Sequence, residues 1–168
     1  DVGFNGGLVL PKSIAHEFVS ENETLLLDQS TAGIFGSNLD TLVVKKLPVT
    51  IAGQTHEILV EFSALNKALI GNDFLEHFLV FLNYEEQKIT LVQKSNLVID
   101  APNIFIPGVL NDSLWIVNRT SPTLPYKIGD TLKRANGMQP KDPFKNHCDY
   151  FFRISELLQQ DSLRVEVN

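Results

Sequence analysis

Asp1-Val2-Gly3-Phe4-Asn5-Gly6-Gly7 sets a carboxylate inside a glycine-rich loop, and Leu8-Val9-Leu10-Pro11 follows as a short apolar strand ending in proline. The glycines let the backbone turn tightly without a Cβ clash. A carboxylate held opposite a second one cannot ionise together with it, so the two share a proton. One then serves as general base on a water and the other as general acid. Asp1 is the candidate acid of this loop. Other ionisable groups carry weaker signals. Asp73 and His77 stand at i, i+4, a metal-ligand spacing, but no third ligand lies near. They read as a surface pair, and no metal site is expected. His16 and His56 read as solvated.

The bulk properties narrow the classes. A chain of 168 residues holds one good domain or two small ones. Its 43% hydrophobic and 20% charged residues are those of an ordinary globular protein. The net charge of −6 argues against nucleic acid as the main partner, because phosphate binding needs a basic face. No apolar run reaches the length of a membrane span. Cys148 is the single cysteine, so no disulfide forms within the chain. The compartment stays open, with a periplasmic or secreted setting slightly preferred, and no cofactor is expected.

The elements that must position the acid loop follow from periodicity. Residues 11–20 have helical spacing through Ile14, Ala15, Phe18 and Val19, with Pro11 at the start. Thr24 to Gln29 and Leu39 to Pro48 read as strands flanking the small-residue run Ser30 to Asn38. Val49 to Phe62 reads as a hairpin turning at Ala52-Gly53-Gln54. Ala68-Leu69-Ile70-Gly71 precedes a short helix, capped by Asn72 or Asp73, with Phe74, Leu75 and Phe78 inward. A hairpin over residues 79–92 follows, and Lys94 to Pro102 reads as a boundary.

The acid loop, the Gly-rich run, the apolar-apolar-Gly strand and the last hairpin come in this order over about ninety residues. Together they resemble a retropepsin-like (retroviral-type) aspartic protease lobe. The resemblance implies an acid-protease β-barrel over residues 1–94, with Asp1 as the water-activating carboxylate and Gly3 shaping the loop. It implies a flap whose Gly33, Ile34, Phe35 and Gly36 contact substrate. Gly71 would let its strand approach the loop backbone. Val2 stands where the family has Thr or Ser; the missing hydroxyl costs roughly 1–3 kcal/mol and loosens the loop. The family's motif follows a strand, so the chain reads as the C-terminal piece of something longer. One lobe brings one acid. The second comes from a symmetric copy or from a separate N-terminal lobe.

Residues 103–168 change pattern. Strand Ser113 to Asn118, Ser121-Pro122, Gly129-Asp130, strand Thr131 to Ala135, Asn136-Gly137, an amphipathic helix over Asp149 to Gln160 and a strand over Leu163 to Val167 follow in order. That order resembles a small α+β PDZ-like domain, a pairing found in bacterial proteins of the aspartyl protease family. Such domains add a peptide strand to a sheet edge beside the helix. Their carboxylate-binding loop would lie near Ile106-Pro107-Gly108-Val109, although Pro107 removes an amide donor. The expectation is thus a mostly β chain with short helices that hydrolyses peptide bonds in a peptide or protein substrate. The alternative is a non-catalytic scaffold that binds extended peptide.

Overall fold

In chain order the elements are β1 (Leu8–Pro11), a 3-10 turn (Lys12–Glu17), β2 (Thr24–Asp28), β3 (Ala32–Gly33), β4 (Gly36–Ser37), β5 (Asp40–Ile51), β6 (Gln54–Ser63), β7 (Leu69–Ile70), α1 (Asn72–Leu75), β8 (Phe78–Asn83), β9 (Lys88–Gln93), β10 (Ile106–Leu110), β11 (Leu114–Thr120), β12 (Thr131–Ala135), α2 (His147–Leu158) and β13 (Val165–Val167). The computed structural model describes residues 4, 6–18, 23–29, 32–33, 36–37, 39–51, 53–99, 101–159 and 162–167, with backbone alone at 32, 33, 36, 37, 147 and 151. The chain is mostly β with few, short helices. It divides into two compact units, Asp1–Leu25 with Leu42–Pro102 and Leu26–Thr41 with Asn103–Asn168.

In the first unit β5 and β6 form one long hairpin, Ile51 opposite Gln54 and Val43 opposite Phe62. β5 runs unbroken through Pro48. The two-residue turn makes Ile51/Gln54 a hydrogen-bonded pair, so alternation leaves Pro48/Glu57 non-bonded. Proline therefore costs the ladder no donor there. Thr50 and Thr55 form another such close pair, with their hydroxyls 3.0 Å apart. Gly53, at φ +81°, supplies the left-handed turn residue.

β1 lies between two strands that are joined in sequence. It runs parallel to β6, Leu8 opposite Val60 and Leu10 opposite Phe62, and antiparallel to β7, Leu8 opposite Ile70. Leu8 and Leu10 pack on a core of Ile58, Val60, Phe62, Phe74, Phe78 and Leu97. His56 shares the Ile58–Val60–Phe62 face by strand alternation, and its Nε2 is buried with no hydrogen-bond partner. It is not the solvated group the sequence suggests. The expected helix after Pro11 is a 3-10 turn of six residues with no side-chain cap. Likewise Gly71, not Asn72 or Asp73, is the N-cap residue of α1.

In the second unit β11 pairs with β10, with β12 and, at Arg119 and Thr120, with Asp28 and Leu27 of β2. β13 closes against β12. Ile106 to Leu110 is a strand, where the sequence suggests a binding loop. α2 begins at His147, ahead of the expected Asp149, because the Asn146 side chain accepts from the Asp149 amide. The core gathers Trp115, Val117, Leu132, Phe144, Tyr150 and Leu157. Asn136 and Gly137, both at positive φ, make the expected tight turn.

Candidate functional site

The chain entering β1 and the chain entering α1 cross at backbone contact. The Gly71 amide donates to the Gly7 carbonyl at 2.9 Å, and the Asn72 amide to the Phe4 carbonyl at 2.8 Å. A Cβ on Gly71 would drive into the Gly6 carbonyl oxygen and sit 2.7 Å from that of Phe4. Gly71 is extended, at φ −107°, so space and not dihedral freedom demands glycine here. Gly6 and Gly7 are also covered. A Cβ on Gly6 would meet the Phe4 ring, and one on Gly7 would lie 2.9 Å from Ile99 Cγ2. This stretch is therefore fixed by the β1 ladder, by the Gly71 and Asn72 amides with one bond each, by the Phe4 ring and by the packing of Ile99. Asp1, Val2 and Gly3 lie outside the described residues, directly before Phe4.

Beside β1 an apolar cavity of about 370 Å³ opens between Leu8, Leu10, Phe18, Leu47, Val49 and Val60. It can hold apolar groups but offers no acid or base. Of the flap residues, Gly33 and Gly36 pair across the β3–β4 hairpin, while Ile34 and Phe35 lie outside the described residues.

His77 is not an exposed partner of Asp73. Its Nδ1 meets the Ser95 hydroxyl at 2.9 Å and its Nε2 the Val98 carbonyl at 3.0 Å, tying the segment after β9 to the end of α1. Both ring nitrogens are engaged, so a metal would have to displace existing bonds. Among the described residues no three His, Cys, Asp or Glu side chains gather as ligands.

The second unit has a candidate peptide edge, β10 beside α2. Val117 donates to the Asp130 carbonyl and accepts from the Gly129 amide, so its backbone faces away from β10. Pro107, opposite Val117, therefore turns its carbonyl to the outer edge of β10. That carbonyl already accepts the Tyr150 hydroxyl at 2.9 Å. Burial pushes the Tyr150 hydroxyl up to about 12, against a hydrogen bond from the Asn118 side chain. The Asn118 side chain fills the space a Cβ on Gly108 would need. At Pro107 the edge thus has no donor, and its acceptor is taken by the chain itself. Tyr150 reads in the sequence only as an apolar helix position; its polar end has no sequence signal.

One buried ion pair lies in the same unit. Arg119 Nε is 2.7 Å from Asp28 Oδ1, with both side chains nearly buried. It ties β2 to β11 where they pair.

Comparison with protein-family profiles, with curated proteins and with solved structures finds no match to this chain.

Proposed function

We propose that residues 1–94 form a retropepsin-like aspartic peptidase lobe and residues 103–168 a PDZ-like appendage. Asp1 is the general base of a carboxylate pair, and the second carboxylate comes from another lobe. Of two carboxyl groups sharing a proton, the ionised one takes a proton from water. The water oxygen attacks the peptide carbonyl, and the protonated carboxyl supplies a proton to the carbonyl oxygen. The observation that carries this reading is the Gly71 crossing: backbone contact fixes Phe4, Gly6 and Gly7, which follow Asp1 in the sequence. Rigid backbone is what a carboxylate pair needs, because its shared proton depends on a fixed separation. Strand β1 threaded between β6 and β7, with α1 next, supports the same reading.

The competing reading, a peptide-binding scaffold, fits less well. Tyr150 and Pro107 leave the β10 edge without the free donor and acceptor that strand addition uses at that position.

Asp1→Asn in a preparation that cleaves denatured protein at acidic pH is expected to abolish cleavage without changing the circular dichroism spectrum. Pepstatin should block the unsubstituted protein. Full cleavage by the Asn variant would end the peptidase assignment.

A further inference from the structure

After β9 the chain leaves its ladder, and residues 95–99 have no strand partner. The Lys94 amide still donates to the His77 carbonyl at 2.9 Å. Beyond Lys94 the segment makes no backbone-to-backbone hydrogen bond among the described residues. Backbone without such bonds keeps one path only where side chains fix it. Leu97 is buried in the core of the first unit, and Ile99 packs against that core. The Gln93 side-chain amide donates to the Ser95 carbonyl at 2.9 Å. His77 does more, because one ring spans the segment: Nδ1 to the Ser95 hydroxyl and Nε2 to the Val98 carbonyl. A carbonyl only accepts, so Nε2 carries the proton. In the neutral ring Nδ1 then accepts from Ser95, and each bond has its donor. The His77 side chain is 15% exposed, so water competes little for either bond.

The segment ends on the glycine loop. A Cβ on Gly7 would lie 2.9 Å from Ile99 Cγ2 and 3.1 Å from its Cδ1, so Ile99 sits where that side chain would stand. The Gly7 carbonyl is also the one that the Gly71 amide holds at 2.9 Å. Gly7 is thus pinned through its carbonyl by Gly71 and over its Cα by Ile99.

We propose that residues 94–99 are a strap buckled by His77, which seats Ile99 on Gly7 and so steadies the Gly71 crossing. His77 is a positioning residue, since it acts through Ile99 and not at the acid. The strap is read from these contacts alone. That it also positions Asp1 rests on the peptidase reading.

The crossing reports on the strap, because the Gly71 and Asn72 amides are its donors. In His77→Ala both amides should exchange with deuterium about tenfold faster, the size of one to two lost net hydrogen bonds. The Ile58 and Val60 amides, which face β5, should exchange at their former rate. Ile99→Ala should reproduce the change at Gly71 and Asn72. Combining it with His77→Ala should add nothing, since both act through one contact. His77→Gln keeps a side-chain amide that can donate to the Val98 carbonyl and should recover part of the loss. Ser95→Ala, at an exposed residue, removes one of the two bonds and gives a milder form of the same pattern, readable even if His77→Ala does not fold. Unchanged exchange at Gly71 and Asn72, additive variants, or equal acceleration at Ile58 and Val60 would each overturn the strap. Cleavage assays on the same variants separate the two ideas. On the peptidase reading His77→Ala lowers kcat and keeps KM. The expected exchange pattern with no cleavage in any preparation sinks the peptidase reading alone. A loosened crossing with kcat unchanged sinks the positioning role of His77.

Discussion

The two units solve the same problem, holding two chain segments together, with opposite chemistry. At the Gly71 crossing the first unit uses backbone amides and carbonyls, and the design consists in the absence of side chains. In the second unit the seam between β10 and α2 is closed by a buried tyrosine hydroxyl, and β2 is fastened to β11 by a buried ion pair. A backbone crossing tolerates no added atom, but it holds its geometry without relying on any protonation state. A side-chain seam tolerates resizing better, but every polar atom it buries must keep a partner. The difference fits the roles proposed: the rigid crossing lies next to the acid loop, while the polar seam fills an edge that would otherwise be open to a peptide.

Substitutions can break this contrast. The largest effect is expected for Gly71→Val. Its new atoms meet backbone oxygen that cannot move without losing both crossing bonds, so a loss of about 4 kcal/mol or more is expected, enough to prevent folding. Thermal unfolding of this variant near the unsubstituted melting temperature would show that the crossing is slack.

Next comes Asp28→Ala, which leaves Arg119 buried and uncompensated at a cost of about 3–5 kcal/mol by denaturant unfolding. Removing both charges, as Asp28→Leu with Arg119→Met, should recover most of that loss. If the double variant is as unstable as the single one, the pair is more than a fastening.

Smallest is Tyr150→Phe, which strips the hydroxyl from the Pro107 carbonyl and costs about 1–3 kcal/mol near neutral pH. Its pH dependence has a definite sign. Folding raises the hydroxyl from 10.0 to about 12, so the neutral form is the one the fold prefers. That contribution is fully present below pH 10 and is lost as pH climbs toward 12. The stability gap between the protein and its Phe variant should therefore narrow between pH 10 and 12. A constant gap would mean that the hydroxyl is not buried in solution.

Much of the local structure is legible in the residues. Asn136-Gly137 and Ala52-Gly53 announce their turns, since few residues accept positive φ. The alternation from His56 to Phe62 announces β6, yet the same alternation carries His56 to the core face, which a histidine beside a turn does not advertise. Pro107 and Gly108 argue against a strand in any local reading. The strand forms anyway, because the missing donor falls on the outer edge and the missing side chain makes room for Asn118. Asp28 and Arg119 stand 91 residues apart, and nothing near either one names the other.

The sequence by itself determined the mostly β character, the turn positions and the amphipathic faces, because these follow from dihedral preference and burial over a few neighbouring residues. Tertiary structure alone decided which backbone Gly71 must clear, which carbonyl Tyr150 caps and which glycine Ile99 covers. Each of those depends on where distant segments meet, and short-range preference carries no information about that.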